Sequence, residues 1–415
     1  MTWDAVVVGG GPAGSATAAL LAADGWRVLL LDRARFPRRK PCAECINPAG
    51  VAVLRRLGVL DRVMDAAPAT LHGWRLLSDG GPSFLGRFPD GVHGIALPRD
   101  TLDAILLDHA RTAGAEIRTG VKVTDLVRDD GGGSTSPGRS GGGGSLSGRR
   151  GRAPGAASGA VRGVVADGEE IHARIVVGAD GLRSIVLRRL GLLARPPRLR
   201  KLALTAHVRG IGEMGGCGRV QARGAGCVGV AEVGGGVANV TVVVPAAQAH
   251  EVGGDRNAYF DAALRECGFT EAERVEDVLA TGPFDCPVRR AVADGALLVG
   301  DAAGYYDPFT GQGIYRALRG AELAAAAIGA ALRAGGTSAA ALMPYERARR
   351  RAFGPGERFQ RVVEAFVSRP RLYRAVAGRF ARRPALADAM VQVTGDVRPV
   401  QSLLRPGFVA QLIAR

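Results

Sequence analysis

The chain has 415 residues, of which 47% are hydrophobic, so it exceeds the usual size of one hydrophobic core, and we expect two interleaved domains and a helical tail. The formal net charge is +16, but nearly all of the 55 basic residues are arginines, in a chain that is also rich in glycine, alanine and proline. That combination is typical of a GC-rich genome, so nucleic acid is not an expected partner.

The hydrophobic pattern predicts neither a transmembrane helix nor a signal peptide. The Ala-rich stretch from Ala317 is interrupted by Arg319, Glu322 and Arg333, and the N-terminus enters a strand pattern without a basic segment before it. Six cysteines are few for this length and suit a reducing cytoplasm. The tail from Pro344 contains RARRRAF and RFARRPALADAM; such basic helices can rest peripherally on anionic membranes, although a solvated helix face is the commoner explanation.

The first segment, DAVVVGGGPAGSATAALLAADGWRVLLLDR, is typical of a strand, a tight turn, a helix and a second strand. In such a G-x-G-x-x-G turn the first glycine turns the chain, the second lets backbone approach a pyrophosphate, and the third brings the helix onto the strand. Phosphates sit on the helix N-terminus, and an acid ending the second strand can accept hydrogen bonds from a ribose hydroxyl. The sequence therefore predicts a dinucleotide site that contains Gly9, Gly11, Pro12, Ala13, Gly14, Asp32 and Arg33.

A second match to the same pattern, GIGEMG at 210–215, follows an apolar strand. No helical periodicity follows it, because GCGRVQARGAGCVGV is broken by glycines and strand-like. We interpret it as a loop between antiparallel strands. With one dinucleotide-binding unit, a nicotinamide dinucleotide would bind only transiently.

The segment LLVGDAAGYYDPFTGQGIYRALRG predicts the far side of the same site. A buried strand is expected to end at Asp301, whose carboxylate can bind a ribityl hydroxyl of FAD. The following glycines bring bare backbone N–H groups against a flat ring, and the positive end of the next helix can stabilise negative charge on a reduced flavin. The residues predicted to contact FAD here are Gly300, Asp301, Pro308, Gly311, Gln312, Gly313 and Ile314.

A third segment, IVVGADGLRSIVLRRLG, predicts a strand over 175–177 that leads through Asp180 into a helix bearing Arg183 and Ser184. Together, the three segments resemble the FAD-dependent oxidoreductases that include class A flavoprotein monooxygenases, flavin halogenases and geranylgeranyl reductases. The resemblance covers most of the chain in matching order.

That resemblance assigns roles to particular residues. It implies that Asp301 contacts the ribityl chain of FAD and that Arg99, which opens the helix LPRDTLDAILLDHA, touches FAD. It also implies that Asp180 and Arg183 take part in handling FAD and NAD(P)H. FAD is the expected cofactor, and NAD(P)H is the expected transient electron donor.

Two features resemble the geranylgeranyl reductase-like branch, namely the Lys-x-Cys loop in FPRRKPCAECINPAG and the P-[LF]-T-G-E-G-I pattern in DPFTGQGI. Two features depart from it. Gln312 replaces the glutamate, and the aromatic Y-x-W-x-x-P motif of the lipid pocket is missing from GCVGVAEVGGGVANVTVVV. A halogenase is disfavoured as well, because the tryptophans form no W-x-W pair.

Cys42 and Cys45 form a C-x-x-C after the second strand. This motif has two interpretations. One is a redox-active or family-specific cysteine beside the flavin, and the other is an ordinary loop that contains two small residues. No second pair has zinc spacing, so no metal site is expected. Cys42 is grouped with the cofactor-binding residues, and Cys42 and Tyr306 are the candidate catalytic proton donors; Tyr305 is a candidate for the cavity wall.

The residues 131–159, GGGSTSPGRSGGGGSLSGRRGRAPGAASG, form a low-complexity insertion between two strand patterns, and we predict a disordered loop away from the flavin. The expected fold is α/β, a Rossmann-like FAD-binding domain with an antiparallel substrate-binding sheet and C-terminal helices. The predicted ranges are 1–66, 94–197 and 281–340 for the FAD domain, 67–93 and 198–280 for the substrate domain, and 341–415 for the helical region.

The leading hypothesis from sequence is an NAD(P)H-dependent flavin monooxygenase of secondary metabolism. It would hydroxylate or epoxidise an apolar aromatic, polyketide or prenylated small molecule in a water-poor pocket. The alternative is a geranylgeranyl reductase-type enzyme that reduces isolated C=C bonds of a prenyl or lipid substrate, with a side chain as proton donor. The sequence gives no signal for an oligomeric state.

Overall fold

The structure, a computed structural model, describes residues 2–129, 159–224, 226–305, 311–367 and 369–413. The insertion predicted over 131–159 lies outside the described residues except for Gly159, and so do Tyr306 and Pro308. The described part of the chain has the predicted mixed α/β fold with a Rossmann-type sheet.

The strands assigned within the described ranges are β1 (Trp3–Val8), β2 (Val28–Asp32), β3 (Cys45–Ile46), β4 (Ala69–Leu71), β5 (Gly73–Leu77), β6 (Ser83–Arg87), β7 (Gly94–Ala96), β8 (Glu116–Thr119), β9 (Val123–Arg128), β10 (Val161–Ala166), β11 (Glu169–Gly178), β12 (Lys201–Arg209), β13 (Cys217–Arg223), β14 (Gly226–Gly234), β15 (Val237–Pro245), β16 (Glu273–Arg274), β17 (Leu279–Thr281), β18 (Val292–Ala293) and β19 (Ala296–Leu298).

The α-helices are α1 (Pro12–Ala23), α2 (Pro48–Arg56), α3 (Leu60–Asp65), α4 (Arg99–Thr112), α5 (Ile185–Leu190), α6 (Arg256–Glu266), α7 (Gly313–Arg333), α8 (Ala339–Val367), α9 (Pro370–Arg382), α10 (Pro384–Thr394) and α11 (Pro406–Ile413). Short 3-10 turns cover Ala246–Gln248, Gly300–Ala303 and Val400–Leu404.

The Rossmann-type sheet has the strand order β18-β19-β11-β1-β2-β8. Strands β19, β11, β1, β2 and β8 run parallel, and helices α1, α4 and α7 pack together beside them. Because the sheet is covered on its faces, its central strands are unbroken apolar runs, and every residue of β2 is buried. This explains why the sequence pattern of β1 and β2 was readable without tertiary information.

The two strands that flank the insertion pair with each other. Strand β9 pairs antiparallel with β10, and the Asp129 N–H donates to the Ala160 carbonyl at 3.0 Å. The two ends of the insertion therefore lie side by side at one edge of the fold.

A second sheet, which also has eight strands in the described part of the chain, stands opposite the Rossmann-type sheet; its neighbouring strands run antiparallel as predicted, except that β13 and β5 pair parallel. Its order is β16-β12-β15-β14-β13-β5-β6, with β17 also beside β12. The GIGEMG segment connects β12 to β13 without a helix, so its interpretation as a loop between strands is confirmed. Strands β3, β7 and β4 form a third, small sheet in the order β3-β7-β4.

The C-terminal helices pack on the outer part of the antiparallel sheet. Helices α9 and α10 contact β6, and Phe84, Phe380 and Leu386 form a buried cluster there. Among the described residues, no helix combines the length and the apolar character needed to cross a bilayer. Contact of the basic helices with a membrane surface stays a prediction, as do the exact limits of the three predicted units.

The structure corrects two predicted boundaries. The strand before Asp301 ends at Leu298, and Asp301 lies in the following 3-10 turn. The helix of the third segment begins at Ile185, so Arg183 lies in the preceding turn and Ser184 caps the helix by accepting the Leu187 N–H at 2.8 Å. The capping preference of serine overrides the helical pattern at these two positions.

The packing of α1 against β1 requires a glycine. A Cβ added at Gly14 would stand 1.8 Å from the carbonyl oxygen of Gly9, which is backbone and cannot rotate away. The helix therefore approaches the turn more closely than any side chain permits.

We expect Gly14→Ala to lower the free energy of unfolding by roughly 3 kcal/mol or more, because the added methyl group must displace backbone. Gly356→Ala is the matched control, since this helical glycine has open space around it and alanine is the better helix former. Urea unfolding of both apoproteins measures the difference. Equal stability of the two variants would contradict the packing argument.

Candidate cofactor and substrate site

A cavity of about 260 Å³ lies between the carboxyl ends of the parallel strands and the face of the antiparallel sheet. This is where open α/β sheets bind ligands, because the loops that follow adjacent strands diverge there. Of the predicted site residues, those that line this cavity are Gly11, Pro12, Ala13, Cys42, Arg99, Gly300, Asp301, Gly311, Gly313 and Ile314. Four stretches distant in sequence, at 11–13, 42, 99 and 300–314, thus converge on one volume.

The glycine-rich turn forms one end of the cavity. Gly9 has a φ of +107°, and a Cβ at this position would lie 2.5 Å from the Ala179 carbonyl oxygen, so the turn is pressed against the end of β11. A Cβ at Gly11 would instead face the guanidinium groups of Arg38 and Arg99, at 3.7 and 3.8 Å. The second glycine therefore opens toward two positive charges beside the N-terminus of α1, as a phosphate site requires.

Those arginines belong to a buried ionic cluster. Arg99 makes two parallel hydrogen bonds of 2.8 Å to the fully buried Asp103, and Arg38 lies 3.2 Å from the same carboxylate. Asp32 also lies 3.8 Å from Arg38, so two carboxylates balance the two guanidinium charges, and the cluster holds guanidinium N–H donors in place near the cavity.

Asp32 holds the turn through its carboxylate. Its two oxygens accept the N–H groups of Gly10 at 2.7 Å and Ala34 at 2.8 Å, and Arg38 lies 3.8 Å away. The neighbouring Arg33 is exposed and does not line the cavity.

Asp180 carries an orphaned oxygen. Its Oδ2 accepts the Ile185 N–H at 2.6 Å, whereas its buried Oδ1 has no hydrogen-bond partner among the residues that the structure describes. Burial raises the pKa of this carboxyl, although the hydrogen bonds from Ser184 and the start of α5 oppose the shift. A buried oxygen of this kind needs a donor from a ligand or a proton of its own.

The opposite wall comes from the loop before α7. Gly300 has a φ of +63°, and a Cβ there would meet the Ala13 side chain at 2.9 Å, so this turn packs directly on the start of α1. Lys40 lies nearby, and burial lowers its pKa, an effect that Arg99 reinforces and Asp301 opposes.

Glu44 connects this wall to the antiparallel sheet, and the sequence analysis missed it. It is buried, with a left-handed φ of 62° that is rare outside glycine. One oxygen accepts the Arg99 N–H at 2.8 Å, and the other contacts His207 Nε2 at 2.6 Å and Asn239 Nδ2 at 3.1 Å. The partners come from distant strands, so only their residue types, not their proximity, are visible in the sequence.

The far part of the cavity is apolar. The lining residues there include Trp74 and Leu76 of β5, Val220 of β13, Val243 of β15, Val363 of α8 and Met390 of α10. Trp74 lies on Gly218 of the neighbouring strand, where a Cβ would stand 2.4 Å from its ring. The aromatic side chain that the sequence analysis sought on β14 is thus supplied by β5.

Some predicted residues do not line the cavity. Gly9, Gly14, Asp32 and Asp180 support its walls from behind, and Gln312 turns away to donate to Asp396. Arg183 donates to the Gly282 carbonyl at 3.3 Å. Tyr305 lines the cavity, whereas Tyr306 and Pro308 lie outside the described residues.

This chain resembles known proteins both in sequence and in fold. Residues 2–144 match the FAD binding domain family. A digeranylgeranylglycerophospholipid reductase of Methanothrix thermoacetophila is 30% identical over 368 residues, which cover 85% of this chain and 84% of that protein.

The chain belongs to the geranylgeranyl reductase-like family of FAD-dependent oxidoreductases.

Two further likenesses agree with this family. A rifampicin monooxygenase of Streptomyces venezuelae is 30% identical over 206 residues, covering 48% of this chain and 37% of that protein. The crystal structure of a geranylgeranyl bacteriochlorophyll reductase-like protein from Thermoplasma acidophilum superposes with a TM-score of 0.71 at 20% identity, over all of this chain and 96% of that one. The second likeness concerns the fold.

FAD is the cofactor of this geranylgeranyl reductase-like protein, and its residues fit that group. The two arginines beyond Gly11 suit a pyrophosphate, because the absence of a side chain at Gly11 leaves open the space before them. The N-terminus of α7, with Gly313 on the cavity wall, faces the same volume.

We expect the His207 contact to make stability depend on pH. Burial alone would lower the pKa of His207, but the hydrogen bond and charge of Glu44, together with Glu276 at 3.1 Å, raise it. A raised folded-state pKa stabilises the fold below the unfolded value of about 6.5, and this stability is lost as the pH rises through the folded pKa.

Urea unfolding across this pH range measures the effect. In His207→Gln this pH-dependent part of the free energy of unfolding should vanish, and the variant should be less stable by about 1–3 kcal/mol at the acidic end of the range. His172→Gln is the control, because His172 forms an exposed pair with Glu170 at 3.6 Å that contributes little. An unchanged pH profile in His207→Gln would contradict the assignment.

Proposed function

We propose that this chain is an FAD-dependent reductase of carbon–carbon double bonds in an elongated apolar, prenyl-type substrate. The observation that carries the proposal is the position of Cys42 in the cavity wall beside Arg99, at the boundary between the charged cofactor end and the apolar end. A relative named as a reductase matches this chain over most of both lengths, which supports the same reaction type.

The charged side chains that line the cavity are Lys40, Glu44, Arg99 and Asp301, all on the segments of the cofactor end. Bound there, FAD would supply hydride chemistry to the adjoining apolar volume. The turn at Gly11 and Arg99 would hold its phosphates, and the α7 N-terminus would favour negative charge on its ring.

Saturation of a double bond needs a proton as well as a hydride. The Cys42 Sγ accepts the Glu44 N–H at 3.3 Å, and its backbone carbonyl accepts Asn239 Nδ2 at 3.0 Å, so the thiol is held in one place. The positive charge of the Arg99 guanidinium is close enough to interact electrostatically with this thiol. In the proposed reaction the thiol donates its proton to one carbon of the double bond while the other carbon receives the hydride. Water then protonates the thiolate again.

NAD(P)H is the proposed electron donor. The described residues contain one G-x-G-x-x-G turn that opens a helix, which FAD uses, so the donor would bind transiently and leave.

Monooxygenation of an apolar small molecule is the second candidate. The apolar end of the cavity favours it, since Trp74, Leu76, Val220 and Val243 exclude water from a reacting centre. The partial likeness to a rifampicin monooxygenase adds support. The likeness to a reductase over 85% of this chain supports our choice of reduction as the first candidate, which reverses the order of the two hypotheses from sequence.

Retention of FAD tests the cofactor site. We expect Asp301→Ala and Gly11→Val to lose at least about nine-tenths of the bound flavin, because the first removes a polar group of the wall and the second fills the space before the arginines. The flavin-to-protein absorbance ratio of the purified proteins measures this. Asp294→Asn is the control: its carboxylate caps α8 by accepting the Ala339 N–H outside the cavity, so its flavin content should match the wild type.

Product mass separates the two reactions. The holoenzyme is mixed with NADPH and either a prenyl alkene or an aromatic polyketide, without oxygen or under ¹⁸O₂. We expect anaerobic gain of hydrogen by the alkene, and Cys42→Ala should slow it roughly 100-fold or more, as loss of a general acid does. Incorporation of ¹⁸O, with no anaerobic product, would reject reduction in favour of oxygenation.

A further inference from the structure

The turn after α10 places a carboxylate between two helices of the cofactor domain. Helix α10 ends at Thr394, and Asp396 adopts a left-handed φ of 56°. Its Oδ2 accepts hydrogen bonds from Asn47 Nδ2 at 2.8 Å and from Gln312 Nε2 at 2.7 Å. One oxygen atom of the C-terminal region thus joins two segments that are 265 residues apart, from position 47 to position 312.

Both donors occupy helix N-termini. Asn47 caps α2, where its side-chain oxygen accepts the Gly50 N–H at 2.9 Å, and Gln312 is the residue before α7. The positive ends of two helix dipoles therefore meet at Asp396, and a carboxylate is favoured there. Burial raises the pKa of Asp396 to about 6, although the two amides and the charge of Arg316 on α7 oppose the shift. Above that pH the group is an anion that only accepts hydrogen bonds.

This contact also explains why residue 312 is an amide. A glutamate at 312 would bring a second carboxylate to the oxygen that now accepts the Gln312 N–H, and two like charges in a buried site repel. Gln312 and Asp396 are chemically complementary, and each constrains the other.

The same helix builds part of the substrate cavity. The large cavity is lined by three residues of α10, Met390, Val391 and Thr394. It is also lined by Gly311, the residue before Gln312. A smaller cavity of about 30 Å³ beside the contact is lined by Asn47, Gly311, Thr394 and Gly395 among others. Movement of the Asp396 turn would therefore disturb both the flavin-facing loop and the apolar wall.

We propose that Asp396 is a positioning residue that fixes the C-terminal helices to the flavin-facing N-terminus of α7 through Gln312, so that FAD retention and closure of the apolar wall are coupled. The proposal rests on the FAD site of the family and not on the choice between reduction and oxygenation. By linkage, bound FAD must stabilise the docked C-terminal helices by the same factor by which docking strengthens FAD binding.

The test measures FAD release from holoenzyme by the rise of flavin fluorescence after dilution. Asp396→Asn and Gln312→Glu should each release FAD roughly tenfold faster, because the first removes the charge of the acceptor and the second creates a like-charge pair. The double variant Gln312→Glu/Asp396→Asn exchanges the two chemical groups, so the carboxylate at 312 can again accept from an amide at 396. Its release rate should return to within about threefold of the wild type.

Asp388→Asn is the matched control. Asp388 also lies on α10 and accepts the Arg87 N–H at 2.8 Å, so its loss weakens the docking of the same helix without touching α7. It should leave FAD release within about twofold of the wild type, since this contact is exposed and does not involve α7. Acceleration by Asp388→Asn equal to that by Asp396→Asn would overturn the positioning role.

A second measurement covers variants that fold poorly. Trypsin cleaves the arginine-rich C-terminal helices, and FAD should slow this cleavage severalfold in the wild type and the double variant but not in the two single variants. Equal protection in all four proteins, or a double variant no better than the singles, would overturn the proposal. A wild-type protein purified without flavin would instead refute the cofactor assignment, which separates that failure from this one.

Discussion

The buried carboxylate of Glu44 is the contact on which the geometry of the site depends. It joins the start of α4 to the antiparallel sheet through Arg99, His207 and Asn239. Removing one partner of a buried charged pair typically costs about 3–5 kcal/mol, because the other charge stays without compensation. The left-handed backbone at Glu44 is tolerated because these three contacts over-determine its position.

The consequence of this contact is a cavity with two chemically different ends. The Rossmann-type sheet and its glycine turns provide backbone N–H groups and positive charge, and the antiparallel sheet provides valines, Trp74 and Leu76. The loop 40–45 passes between them, because Glu44 is tied to one side and the Cys42 carbonyl to Asn239 on the other. A group that lies at this boundary can contact both a cofactor and an apolar substrate, which is the requirement for hydride chemistry on an apolar molecule.

The charged side chains that line the cavity follow this division into a cofactor end and an apolar end. Arginines pair with acids at the cofactor end, as in the cluster of Arg99, Asp103 and Arg38, where pairing is needed because burial of a lone charge is expensive. The net charge of +16 therefore does not by itself mark a binding surface, and the groups that matter for a ligand are the guanidinium groups that a Cβ at Gly11 would face.

The sequence by itself determined the features that depend on local backbone geometry. The turn at Gly9, Gly11 and Gly14, the buried runs of β1 and β2 and the glycine-opened start of α7 follow from steric and periodic rules that act within about 20 residues. These rules sufficed for the fold class and for the glycine-rich turns that line the cavity. They failed by a few residues where a cap competes with a helical pattern, as at Ser184.

Only the tertiary structure decided which side chains meet. Glu44 and His207 are 163 positions apart, and Asp396 and Asn47 are 349 apart, so no spacing rule connects them. The apolar wall likewise combines Trp74 of β5 with Met390 of α10, because the strand order places β5 and β6 beneath the C-terminal helices. Backbone approach to a cofactor is encoded where glycine is required, whereas pairing of distant side chains is fixed by strand order and helix docking, which local sequence does not specify.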